Sequence, residues 1–223
     1  KTMCNRAFHN DMISGDVIKV FGRVKRLLKK GSDVRDVILS PDHFDRLMVA
    51  LPIHLKPIVA TGYYTGMRRG EILNLNWQSV DLVNKTITLE ATETKDKEKR
   101  VIPICDELHK ILKDIPRAIH TNHVFLYQGL PIKNIRKAFQ SACEKASIPY
   151  GRKTKGGIVF HDLRHTFNTN MRRAGVPESV IMRITGHSSR EMFDRYDTVD
   201  IGDMKEAVDR LQKFVNVDQT VDQ

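Results

Sequence analysis

The sequence predicts an α+β fold, mainly α-helical, with one small antiparallel β-hairpin sheet. Three observations carry this expectation. Apolar residues recur at spacings of three and four over most of the chain. A period-two pattern is confined to residues 86–104, in TITLEA (86–91) and RVIPI (100–104). Between the periodic runs stand residues that start or stop helices.

Taken in order, the first 36 residues read as a short helix, a turn at Gly15, and an apolar–basic stretch closed by Gly31. Within that stretch RVKRLLKK (23–30) concentrates cations, as a linker or DNA-facing segment would. Ser40, Pro41 and Asp42 then mark a helix start: a capping hydroxyl, a proline suited to the first helical position, and an acid in the first turn. Phe44, Leu47, Met48 and Leu51 form the apolar stripe of that helix. Further helices are expected over about 55–65 and 69–75.

The two strands follow, joined by the lysine-rich turn TETKDKEK (92–99), with Pro103 placing the second strand at a sheet edge. Helices are then expected from Asp106, Asn134, Asp162 and Pro177, with Gly175 and Gly186 stopping the last two. A basic glycine-rich stretch, GRKTKGG (151–157), lies among them. A final helix over 203–215 carries Met204, Ala207, Val208, Leu211 and Val215 on one face, and residues 216–223 read as a disordered tail.

Composition narrows the function. The chain of 223 residues carries 37 Lys+Arg against 27 Asp+Glu, a net charge of +10 and a pI of about 9.6. A polyanionic partner fits, nucleic acid ahead of a membrane surface, because no long basic amphipathic helix has an aromatic face. No apolar run approaches the roughly 20 residues that span a bilayer. Cys4, Cys105 and Cys143 are far apart and odd in number, which argues against a disulfide framework and for a reducing cytoplasm.

Four stretches place cations and proton carriers where a helical core does not ask for them. In TGMRRGE (65–71) a Thr-Gly turn delivers Arg68 to a helix N-terminus, where backbone N–H groups and the dipole favour an anion. Glu71, three residues on, can hold that guanidinium; an ordinary surface Arg–Glu pair is the alternative. In TKDKEKR (94–100) the lysines Lys95, Lys97 and Lys99 can each reach a substrate from a hairpin tip and protonate a leaving oxygen. In HDLRHTF (161–167) His161 and Arg164 share a helix face, and Arg164 offers a planar fork to phosphate oxygens. His161 and His165 also have a metal-ligand spacing, but no HExxH glutamate or third ligand accompanies them. His165 reads equally as a helix buttress. Finally, in ITGHSSREMFDRYD (184–197) Gly186 exposes His187, and Tyr196 follows nine residues later.

This set suits one task. A tyrosine phenol, with a pKa of about 10, attacks a phosphate only when fixed cations balance the charge of the transition state and an acid protonates the leaving oxygen.

In their order and separations these motifs resemble the tyrosine recombinases, the phage-integrase family, over about residues 40 to 200. The resemblance implies that the chain has a tyrosine-recombinase catalytic-domain fold over 37–215. It also implies that the enzyme is a site-specific DNA recombinase, or integrase, working through a 3′-phosphotyrosyl link. By it, Arg68 and Arg164 clamp the scissile phosphate, Lys95 is the general acid, and His161 assists the nucleophile as a base. His187 donates to the phosphate, Tyr196 is the nucleophile, and Glu71 and His165 support the site. No metal, ATP or other cofactor is implied. The family's Tyr-x-His is absent from MFDRYDTVD, since Thr198 stands two residues after Tyr196.

Family members usually carry an N-terminal DNA-binding domain, and residues 1–36 read as the end of a truncated one plus its linker. The expected partners are double-stranded DNA at specific sites and further copies of the chain; the 203–215 helix is a candidate for docking on a neighbouring copy, with packing on its own domain the equal alternative. No membrane is expected, and the setting is the cytoplasm, on DNA, for a bacterial or phage-encoded protein. A type IB topoisomerase shares this chemistry, and a non-catalytic DNA-binding regulator shares the basic surface. Both stay open at this level.

Overall fold

The computed structural model describes residues 2–23, 37–92, 94, 98–187, 205, 208 and 209. The chain divides into two units, parted between residues 34 and 35. In the first, helix α1 (Thr2–His9) packs against α2 (Gly15–Arg23). The turn expected at Gly15 comes earlier. Asp11 takes a left-handed φ of 52°, the Met12 N–H donates to Ala7 O at 2.8 Å, and Gly15 opens α2 instead. A short polar side chain tolerates that backbone region, so Asp11 turns the chain without a glycine.

The second unit contains helices α3 (Pro41–Ala50), α4 (Lys56–Thr65) and α5 (Arg69–Leu73), then strands β1 (Val80–Asp81), β2 (Thr86–Leu89) and β3 (Arg100–Pro103). Helix α6 (Asp106–Lys113), strands β4 (Leu126–Tyr127) and β5 (Leu130–Pro131), and helices α7 (Arg136–Lys145), α8 (Asp162–Arg173) and α9 (Glu178–Thr185) follow. The α3 start is as read: Ser40 Oγ accepts from the His43 N–H at 3.2 Å, and Pro41 is the first helical residue. Phe44 and Leu47 point into the core. Leu47→Ala would empty a fully buried site and cost roughly 2–5 kcal/mol.

Helix α4 is the hub. Ile58, Val59, Ala60, Thr61, Gly62 and Thr65 are all buried, and it packs on α5, α6 and α8. Gly62 permits the close crossing with α8, since a Cβ there would lie 3.1 Å from Leu163 and 3.2 Å from Phe160.

The sheet has three antiparallel strands in the order β1–β2–β3, with Ile87 opposite both Val80 and Ile102, and Leu89 opposite Arg100. Pro103 sits on the edge strand, as its missing N–H requires. Period-two reading found β2 and β3 but not β1, because two residues carry no alternation. It also passed over the β4–β5 hairpin, whose turn is Gln128 (φ 51°) and Gly129 (φ 79°), the paired left-handed conformation that tight hairpins need. The GRKTKGG stretch closes on itself: Ile158 N–H donates to Pro149 O at 2.9 Å and Gly151 N–H to Ile158 O at 3.0 Å.

No helix among the described residues is long and apolar enough to cross a membrane. Of the 203–215 stretch only 205, 208 and 209 are described, each helical and exposed, and the 216–223 tail lies outside the described residues.

Candidate active site

The site is assembled at two helix C-termini. Helix α4 ends at Gly66 (φ 63°) and α9 at Gly186 (φ 69°), both left-handed. A helix end leaves carbonyls without intrahelical partners and carries the negative pole of the dipole, so it attracts cations. Each glycine carbonyl here receives an arginine. Arg164 Nη1 donates to Gly66 O at 2.8 Å, and Arg68 Nη2 donates to Gly186 O at 2.9 Å.

Arg68 caps α5 with extended backbone (φ −70°, ψ 145°). Glu71 reaches back to accept its N–H at 2.8 Å through Oε2, and accepts Arg68 Nη1 at 3.1 Å through Oε1. Glu71 is therefore a buried partner of Arg68, not a surface pair: its side chain is 4% exposed and that of Arg68 20%. A second guanidinium shares the carboxylate, because Arg100 Nη2 donates to Glu71 Oε2 at 2.6 Å.

Sequence reading placed Arg100 only at the start of a strand. The signal was present: Arg100 occupies the inward register of β3, together with Ile102 and opposite Leu89. A charge on the buried face of a strand needs a buried partner.

Arg164 lies in the first turn of α8 and is 2% exposed. Its Nη2 is 3.1 Å from His187 Nε2. A guanidinium only donates, so Nε2 accepts. In the neutral ring Nδ1 then carries the proton and faces Thr185 Oγ1 at 2.8 Å, and that hydroxyl donates to Ile181 O at 2.8 Å.

His161, one turn before Arg164, keeps an exposed edge. Desolvation by the protein around it, then the Arg164 guanidinium, hold its imidazole below the usual histidine value of 6.5, with Asp162 opposing. His165 is buried, 2% exposed, on the same helix.

His161 also borders a cleft of about 800 Å³ lined by Arg69, Arg136, Arg152 and Lys153, with Tyr150 and Phe160 in its wall. Among the described residues no group of three or more His, Cys, Asp or Glu could hold a metal ion.

The structure thus brings together Arg68, Glu71, Arg164 and His187, with His161 beside them. Lys95, Lys97 and Tyr196 lie outside the described residues. Of the hairpin lysines Lys99 is described, and its Nζ pairs with Glu90 Oε1 at 2.8 Å. The hairpin base is clasped by Thr94, whose hydroxyl donates to Glu98 O at 3.0 Å and accepts the Glu98 N–H at 3.1 Å.

Residues 25–201 match the model of the phage integrase family. The chain belongs to that family. Similar family members include the integrase of Salmonella phage P22, 31% identical over 174 residues, covering 71% of this chain and 42% of the relative. The tyrosine recombinase XerA of Pyrococcus furiosus is 28% identical over 182 residues, covering 80% and 63%. The chain spans less than two thirds of either relative. Among solved structures, the catalytic domain of bacteriophage HP1 integrase superposes with a TM-score of 0.55 at 29% identity, covering 72% of this chain and 86% of that one. The mainly helical integrase-family catalytic fold with small antiparallel sheets is accordingly the fold of this chain.

Proposed function

We propose that this chain is the catalytic part of a site-specific DNA recombinase that breaks and rejoins DNA through a covalent 3′-phosphotyrosyl link. The observation that carries the reading is the meeting of three motifs distant in sequence. Arg68, Arg164 and His187 converge at the two glycine-capped helix ends, held by carbonyls and by Glu71.

Two guanidiniums so fixed suit the non-bridging oxygens of one phosphodiester, and their preorganisation stabilises charge that develops in the transition state. The Tyr196 hydroxyl attacks phosphorus and its proton passes to neutral His161. The bond from phosphorus to the 5′-oxygen breaks, and Lys95 protonates that oxygen. A phosphate oxygen taking Arg164 Nη2 releases His187 Nε2, so His187 donates only after gaining a proton or turning. Glu71 orients Arg68, and His165 buttresses α8.

The reverse attack by a second 5′-hydroxyl rejoins the strand, because the link conserves the phosphodiester. That step calls for neither ATP nor a metal. The basic cleft beside His161 supports the backbone of double-stranded DNA, so affinity falls steeply with salt. Residues 1–36 act as the end of a DNA-binding domain, and the 203–215 segment docks on a neighbouring copy on DNA in the cytoplasm. Size measurements with and without duplex, on the chain and on a truncation at 202, test that docking.

The deciding experiment incubates the protein with a pool of nicked suicide duplexes randomised across their core. An adduct that survives denaturation and EDTA, and vanishes in Tyr196→Phe, is the expected result. Binding with no adduct from any pool would leave the regulator reading standing. Plasmid relaxation without exchange between two captured sites would leave the topoisomerase.

A further inference from the structure

We infer that Arg100 is a positioning residue for strand cleavage, acting through Glu71 and Gly186 on the arginine that holds the phosphate. This rests on the recombinase reading above.

The geometry is a closed ring. Arg68 donates to Glu71 Oε1 and to Gly186 O, and Arg100 donates to Glu71 Oε2. The ring closes because Arg100 also lies directly under Gly186, where an added Cβ would collide with its Nη1. The Arg100 and Glu71 side chains are 6% and 4% exposed, and that of Arg68 is 20%, so the ring opens outward only at Arg68.

Charge explains why two arginines are needed. Glu71 alone opposite Arg68 would neutralise the cation that the phosphate requires. With both Arg68 and Arg100 on one carboxylate the cluster keeps a net charge of +1, and Arg100, the more buried, takes the shorter contact. Glu71 is left to give Arg68 Nη1 a single oxygen, which leaves the fork oriented and still cationic.

Arg100 also connects two motifs mechanically. It begins β3, the strand leaving the lysine hairpin, and β3 packs against α9, which ends at Gly186. The hairpin is thereby tied to the Arg68 anchor.

The test uses the full-length protein and a duplex recovered from the nicked pool. Single-turnover adduct formation, DNA affinity and melting temperature are measured for wild type, Arg100→Met, Glu71→Gln and the double variant. Arg100→Met should slow adduct formation by about 100-fold, the scale of a small misplacement of a reacting group. Its DNA affinity should stay close to wild type. The double variant should be no slower than the slower single variant, because both break one ring. Arg100→Lys, which keeps a buried cation but not the fork, takes the place of Arg100→Met if that variant melts below the assay temperature, and the same coupling applies.

Wild-type cleavage in a folded Arg100 variant, or losses that multiply in the double variant, would overturn the inference while leaving the recombinase intact. Absence of any adduct from the wild-type protein would overturn the recombinase reading itself, a different result.

Discussion

Arg68 and Arg164 meet at one site but are held by different physics. Arg68 stands at the cap of a five-residue helix, 20% exposed, in a ring of charges with Glu71 and Arg100. Arg164 lies on the twelve-residue α8, 2% exposed, against the carbonyl of one helix end and an imidazole. The first is oriented by charges paired on one shared carboxylate. The second is oriented by packing and by a dipole built into the fold. Removing Arg68 should therefore cost chemistry, and removing Arg164 should cost chemistry and folding together.

The largest expected effect falls on Arg68→Ala. Loss of a preorganised donor slows adduct formation by about 10²–10³-fold, roughly 2.7–4 kcal/mol. Thermal melting should barely move, because Glu71 keeps Arg100. A melting loss as large as that of the Arg164 variant would erase the distinction between the two corners.

Arg164→Ala comes next in folding terms. It strips a donor from the buried carbonyl of Gly66, a loss of roughly 1–3 kcal/mol on top of its catalytic defect. For a chain of this size each kcal/mol lowers Tm by about 2–4 °C, which calorimetry reads directly.

Gly186→Ala sharpens the contrast from the other side. A left-handed backbone with a Cβ costs roughly 1–2 kcal/mol, and the Arg100 guanidinium must also move. Adduct formation should drop through Arg68 while the Arg164–Gly66 contact is spared, which a variant structure would reveal.

The smallest effect is one of pH. Because His161 titrates below 6.5 when folded, the native state binds fewer protons than the unfolded chain through that window. Its contribution to stability is present above about 6.5 and is lost as pH falls through the folded value. The acid limb of the cleavage profile should likewise lie below 6.5, and His161→Gln should remove it. An acid limb above 6.5 would assign the proton acceptor to another group.

Much of this was legible before the fold. Ser40-Pro41 announced α3, Gly186 announced the end of α9, and His161 with Arg164 fell on one helical turn because helix geometry is local. The β1 strand and the Gln128-Gly129 hairpin were missed, since elements of two residues have no period. Arg100 was missed for another reason. Its role depends on Glu71, far away in the chain, and on the space beneath Gly186. Of the hairpin lysines, from which only the family resemblance singled out Lys95, Lys99 alone lies among the described residues, and it pairs with Glu90.

The sequence by itself determined the helical periods, the two glycine stops, the order of the cationic motifs and the basic balance that suits DNA. These depend on neighbours a few residues apart and on composition. Only the tertiary structure decided that the carbonyls of Gly66 and Gly186 each seat an arginine, that Glu71 is shared rather than owned, and that the His187 imidazole lies against the Arg164 guanidinium. Those outcomes are set by the crossing of α4 on α8 and of α9 on β3, where burial removes water as the competing partner and leaves each donor a small choice of acceptors.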